Sequence, residues 1–349
     1  LMQCLQNLIG TVFTLFGRSR GYIMINYTEI KHCEIELSSY CNAACPLCPR
    51  NLFGYPYNSG YTVRHLTLDD VKNIFDREFC DRVKFTFEGN FGDPVMNPEL
   101  LEIVDYLNSP IKICTNGGIQ NKSFWKQLAD RDVIVEFGID GLSGTHEIYR
   151  RGTQWQTVID NAQTFIDAGG SAVWKMIEFD HNRSEIEACR QLSEQMGFNK
   201  FMTVDHGRNN GPVFDRKGNL ERVLGNFTGN TDLTHYMDTI ENGDIFIEDI
   251  YDAPKKNISC KTILESSIYV ASTGDVYPCC FMGFSPRTYG QGRWHQPVNR
   301  QIQDLIKPNN ALEHQLHECI EWFNSIPSCW NKDSFEGGRL IVCDSMCGK

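Results

Sequence analysis

Three cysteines stand at C-x3-C-x2-C spacing in CNAACPLC, residues 41–48, directly after CEIELSS, a short stretch that alternates like a strand. Thiolates so placed suit zinc or an iron–sulfur cluster. A structural zinc site wants a fourth ligand nearby, and none lies within this loop. Three cysteines on one loop can instead hold three irons of a [4Fe–4S] cluster, leaving the fourth iron open to a substrate or cofactor. With fifteen cysteines in 349 residues, chance gives this triplet only roughly 0.03 times per chain. The spacing is therefore informative.

The elements that must carry this loop repeat as strand then helix. CEIELSS is followed by a capping-box start at Thr67 and Asp70, with Val71, Ile74 and Phe75 on one helix face. RVKFTFE precedes a helix with Asn97 as N-cap and Pro98 at its first position. IKICT is followed by a helix from Ser123, and VIVEFGI by one carrying Trp155, Val158, Ile159, Ala162, Phe165 and Ile166 at helical spacing. AVWKMIEF leads to a helix capped by Ser184 and Glu187, and KFMTVD is a sixth strand. Such alternation predicts a parallel α/β sheet, either a partial barrel or a doubly wound sheet. After Asp205 a Gly- and Asn-rich stretch reads as linker or loops. From Cys260, CKTILESSIYVASTGDVYPCC reads as a β-hairpin turning at Thr273, Gly274 and Asp275.

The expected organisation is an N-terminal extension over 1–30, a barrel over 31–210, linker over 211–258 and a small α+β domain over 259–349. Residues 1–23 read as upstream read-through, with Met24 as the start. The net charge of −11 argues against bulk nucleic acid or an anionic membrane as partner. No apolar run is long enough to span a bilayer, so the expectation is a cytoplasmic protein using its cysteines for metal or redox chemistry rather than for disulfides.

Cys41, Cys45 and Cys48, with the aromatic Tyr40 before them, resemble the signature of radical S-adenosylmethionine (radical SAM) enzymes, and the resemblance spans residues 33–206. It implies a (β/α)6 partial barrel, SAM chelated by the open iron, and reductive cleavage of SAM to a 5′-deoxyadenosyl radical that takes hydrogen from substrate. EGNFGDP, residues 88–94, is similar to the family's GGE-type motif, with Asn90 and Phe91 intervening and Gly92 and Asp93 standing where Gly-Glu is usual. By resemblance Gly92 and Asp93 receive the SAM amino group. Thr115 and Asn116 in CTNGG meet the ribose or methionine moiety, Asp140 in GIDG lines the site, and Arg151 in YRRGT supports the SAM carboxylate, with Arg150 as substitute. All follow strand ends, where βα folds gather function.

Cys260, thirteen residues, Gly274, four residues and Cys279 match the hairpin of SPASM and twitch auxiliary-cluster domains. Cys343 and Cys347 complete the ligand set that the resemblance implies for one auxiliary [4Fe–4S] cluster, with Cys280 and Cys329 as substitutes. The single-cluster twitch form fits better than the two-cluster form. Expected partners are a peptide or small-molecule substrate and a flavodoxin- or ferredoxin-type reductant. Glu178, Asp180, Asp205 and His206, past strands five and six, are candidates to face substrate. The blander alternatives are a zinc knuckle or buried thiols for the first triplet, and a four-cysteine zinc ribbon for the second. The whole chain would then be a non-catalytic iron–sulfur or zinc scaffold. His314, His317 and Cys319 read as an ordinary exposed helix, and Cys4, Cys33, Cys80 and Cys189 as small core residues.

Overall fold

A computed structural model describes residues 25–56, 62–205, 210–242, 256–284, 301–302, 305, 308–335 and 337–349. The possible start at Met24, Cys4 and His206 lie outside the described residues. Strands β1 (His32–Ile35), β2 (Lys84–Phe87), β3 (Ile111–Thr115), β4 (Val133–Gly138), β5 (Ser171–Ile177) and β6 (Lys200–Val204) pair in parallel in sequence order. The period-2 alternation divides their side chains. One set, including Cys33, Ile35, Phe85, Phe87, Ile113, Val135, Phe137 and Trp174, is buried in one core with helix residues such as Ile103, Trp125, Val158 and Phe165. The opposite set, Glu34, Thr86, Lys112, Cys114, Glu136 and Lys175, faces the inside of the curved sheet. This is the expected partial barrel.

The helices follow local rules, with two exceptions. Thr67 and Asp70 form the reciprocal capping box of α1 (Leu68–Ile74). The helix expected from Pro98 runs Leu100–Leu107, two residues later; Asn97 Oδ1 accepts from Glu99 N at 2.9 Å in the turn before it, and the buried Asn97 amide donates to the carbonyls of Leu37 and Leu66, 2.8 Å each. The Ser184–Glu187 box is also absent, because a 3-10 turn, Arg183–Glu185, precedes the helix Ile186–Met196. Glu185 is drawn to the β4 loop, accepting from Leu142 N and Thr145 Oγ1.

Part of the stretch expected to be linker is structured. Gly211–Phe214 and Leu220–Leu224 form an antiparallel pair, and a helix spans Leu233–Asn242. Asp215 closes the turn by accepting from the amides of Lys217 and Asn219. The buried run Pro212–Phe214 is too short to show a period among the surrounding Gly and Asn residues.

The C-terminal hairpin forms, and it joins the barrel sheet. Strand Ser267–Val270 pairs in parallel with β1, and Val276–Tyr277 pairs antiparallel with it, giving an eight-stranded sheet. Gly274 turns the hairpin at φ +87, where a Cβ would also meet Leu312 at 2.6 Å. Cys319 is buried at the end of the short helix Leu316–Cys319, and Cys33, Cys80 and Cys189 are core residues. Among the described residues no helix is long and apolar enough to cross a membrane.

Candidate active site

The loop after β1 is wound tightly by its own backbone. Cys48 N donates to Cys45 O at 3.0 Å, and Asn51 N to Cys48 O at 3.1 Å. Arg50 closes the loop, donating to Ala43 O (2.8 Å) and Cys41 O (3.3 Å), while Asn51 Nδ2 donates to Cys45 O (2.8 Å). All three thiols are partly buried. Burial pushes Cys41 up to about 12, Asp93 and Cys45 add to it, and Arg50 opposes. Cys45 is pushed up to about 11 by burial, with Arg150 opposing and Cys48 and Asp140 adding. The three sulfurs thus sense one another beside two guanidinium groups.

Loops from the neighbouring strands converge on this one. Gly92 lies so close to β1's exit that a Cβ would stand 1.8 Å from Ser38 O, so glycine alone fits. Asp93 N then donates to Tyr40 O at 2.8 Å. The buried Asp93 carboxylate accepts from Thr115 Oγ1 (2.8 and 3.0 Å), Asn116 N (2.7 Å) and Val95 N (3.1 Å). Burial raises its pKa, and those same hydrogen bonds oppose the rise. Its acceptor sites are largely filled by the protein, so Asp93 organises Thr115 and Asn116. Asn116 Nδ2 reaches the cysteine loop, donating to Asn42 Oδ1 (2.9 Å) and Cys41 Sγ (3.5 Å). Gly92, Asp93, Thr115, Asn116 and Cys41 therefore form one connected set.

The remaining expected residues divide. Asp140 is fully buried, accepting from Arg150 Nε at 2.6 Å and Ile177 N at 2.7 Å. Arg150 lies over Gly138, where a Cβ would meet Nη2 at 2.7 Å. Arg151 instead turns to the 211–224 hairpin, donating to Phe214 O (3.0 Å) and Glu221 (2.7 Å). Of Arg150 and Arg151, it is Arg150, the substitute, whose guanidinium acts on Cys45. Tyr40 is 41% exposed and stacks on His65 at 4.5 Å. Asp180 is paired with Arg183 on the surface, and Glu178 N bonds Val204 O.

The second cysteine group gathers at the far side of β1. Cys260 and Cys279 flank the hairpin, and Cys343 and Cys347 lie one turn apart on the helix Ile341–Cys347. Burial raises the Cys343 thiol, and Cys279, Cys260 and Cys347 raise it further. Cys279, at about 12, is raised first by burial and then by Cys260 and Cys347. Ser259 N donates to Cys347 O at 3.0 Å, tying the segments together. Cys280 points elsewhere, its thiol hydrogen-bonded to Glu34, and Cys329 bonds Ser325 O at 3.8 Å. Among the described residues no three His, Cys, Asp or Glu side chains converge tightly enough for a single metal ion. The all-thiol donor sets suit iron–sulfur chemistry.

One set of residues was missed by sequence reasoning. Lys175 Nζ donates to Glu136 at 2.8 Å, Lys112 Nζ lies 3.8 Å from the same carboxylate, and Cys114 Sγ reaches Glu136 (3.5 Å) and Glu88 (3.8 Å). Burial would raise the Glu136 carboxyl, but Lys175 and Lys112 hold it below its ordinary range. Glu34 is raised to about 7 by burial and then by Glu88. Barrel interiors are ordinarily filled with branched apolar residues, so this charged lining below the cysteine loop is a departure that packing does not require. The alternation of IKICT and VIVEFG was the available signal.

Residues 35–188 match the family model of the Radical SAM superfamily. No curated protein matches the chain. Among solved structures, native anSMEcpe with bound AdoMet is similar at TM-score 0.54 and 16% identity, covering 88% of each chain. SuiB of Streptococcus suis bound to S-adenosylmethionine is similar at 0.51 and 14%, covering 90% of this chain and 77% of that one. Native anSMEcpe with bound AdoMet and Cp18Cys peptide gives 0.53 and 16%, covering 90% and 88%. These likenesses show a shared fold, and the residues that match the Radical SAM family model, 35–188, include the cysteine loop.

Proposed function

We propose that this chain cleaves SAM reductively and abstracts hydrogen from a peptide or small-molecule substrate. The observation that carries the reading is the connected set of Cys41, Asn116, Thr115, Asp93 and Gly92 around a three-thiol loop. Cys41, Cys45 and Cys48 would hold a [4Fe–4S] cluster, which when bound supplies the electron that splits SAM. The chain's own residues do the rest. Asn116 braces the Cys41 sulfur, Asp93 holds Thr115 and Asn116 in place, and Arg150, kept cationic by Asp140, offers a guanidinium to a carboxylate.

In this reading residues 31–210 are the catalytic barrel and 259–349 an auxiliary unit, with Cys260, Cys279, Cys343 and Cys347 holding a second [4Fe–4S] cluster as acceptor of the substrate's electron. A flavodoxin- or ferredoxin-type protein supplies the reducing electron. Glu34, Glu88, Lys112, Glu136 and Lys175 would meet a polar substrate inside the barrel. A peptide is supported as substrate class by the peptide bound in the similar anSMEcpe structure.

The test is iron content and 5′-deoxyadenosine release on anaerobically reconstituted, dithionite-reduced protein, beside a Cys41/Cys45/Cys48→Ala variant. The reading expects about eight irons, loss of about half in the variant, and 5′-deoxyadenosine only from the intact protein. Zinc in both sites with SAM left whole would make the chain a binding scaffold.

A further inference from the structure

Asn90 and Phe91, the two residues that intervene in EGNFGDP, have a structural use. Asn90 Nδ2 donates to Cys280 O at 2.9 Å and to Tyr269 Oη at 3.2 Å. Both acceptors belong to the C-terminal hairpin segment, and Cys280 directly follows Cys279. Phe91 is buried, its ring stacked on Phe284 at 5.7 Å and within 3° of parallel. Its amide donates to Glu36 Oε1 at 2.8 Å, and the other oxygen of Glu36 accepts from Ser272 Oγ at 3.0 Å. The next two residues turn the other way: Gly92 packs on Ser38, and Asp93 bonds Tyr40 and Asn116. Four consecutive residues thus touch the auxiliary segment with one half and the SAM-site loops with the other.

We propose that Asn90 and Phe91 are positioning residues that clasp the Cys279–Phe284 segment to the SAM site, so that SAM bound at the first site steadies the auxiliary cysteines. The proposal rests on the functional reading above. It follows from geometry and linkage. A ligand that orders residues 92–93 orders the residues bonded to 90–91, and a segment already ordered costs less to hold.

Hydrogen exchange on the reconstituted protein, with and without SAM, tests this. In the wild type, SAM is expected to slow exchange several-fold in peptides covering 41–48 and also in those covering 269–284. Asn90→Asp keeps the side chain's shape but removes both donors and sets a carboxylate oxygen against the carbonyl oxygen of Cys280. It should retain SAM protection at 41–48 and lose it at 269–284, with iron content equal to wild type. Asn90→Gln, which keeps the donors, should recover part of that protection. Protection at 269–284 that is absent in the wild type, or unchanged in Asn90→Asp, overturns the clasp. If SAM protects neither segment, the SAM-site reading itself fails, a different result.

Discussion

Asp93 shows how much of a site rests on one side chain. Its carboxylate joins Thr115 and Asn116 of the β3 loop to the β2 loop, and Asn116 reaches on to Cys41. Asp93→Asn should leave the iron on Cys41, Cys45 and Cys48, lower stability by about 1–3 kcal/mol, and cut 5′-deoxyadenosine release at least about tenfold. Iron analysis beside product assay checks this, and equal release would remove Asp93 from the machinery. His146 gives a pH signature. Fully buried, it accepts from Asp140 N at 3.2 Å through Nδ1 and shares a 3.0 Å hydrogen bond with Thr153 through Nε2. Burial, then Arg150, lowers it to about 4 against an ordinary 6.5. The folded state therefore binds the proton less readily than the unfolded chain. The stability from a neutral His146 is complete above pH 6.5 and is lost as pH falls towards 4, by up to about 3 kcal/mol. Thermal melts from pH 7.5 to 4.5 should show a flatter slope for His146→Gln than for wild type, and parallel curves would argue against this assignment.

At the scale of elements, the site depends on loops that leave neighbouring strands at the same end of the sheet. Gly92 is where the β2 loop meets the exit of β1. Gly92→Ala places a carbon 1.8 Å from the Ser38 carbonyl carbon's oxygen, and since that neighbour is backbone, relief requires one of the two loops to move. The expected cost exceeds the roughly 1–3 kcal/mol of ordinary overpacking. Denaturant unfolding should show it, together with loss of SAM binding. A variant as stable as wild type would mean the loops are freer than their packing indicates.

For the whole molecule, the decisive contact is the strand Ser267–Val270 lying against β1. The barrel and the C-terminal segment share one sheet and one core, and the buried Glu36 ties Phe91 to Ser272 across the junction. Arg339, itself buried, bonds Asp344 and the carbonyls of Trp330 and Lys256, closing the far end. Removing residues 259–349 would bare the edge of β1, an open template for aggregation, along with apolar surface that the hairpin covers. The truncated chain is expected to aggregate or melt well below the full chain. Size-exclusion chromatography and circular dichroism would report it, and a monomeric, cooperatively melting barrel would show that the two parts fold independently.

The sequence by itself determined the strand–helix alternation, the six parallel strands and the cysteine loop after the first, because hydrophobic period and residue spacing are local quantities. The resemblance to auxiliary-cluster domains also brought Cys260, Cys279, Cys343 and Cys347 forward as one group. Tertiary structure decided what depends on which distant residues meet. The guanidinium that acts on Cys45 is that of Arg150 rather than Arg151, because Glu221 and Phe214 from a hairpin hidden among Gly and Asn residues hold the Arg151 side chain. The Ser184–Glu187 capping box gives way to a 3-10 turn whose Glu185 bonds the β4 loop, and the Asn97 side chain also reaches the buried carbonyls of Leu37 and Leu66. The charged lining of Glu34, Lys112, Glu136 and Lys175 emerges only when the sheet curves and turns one face of each strand inward, since alternation identifies two faces without saying which will enclose a site.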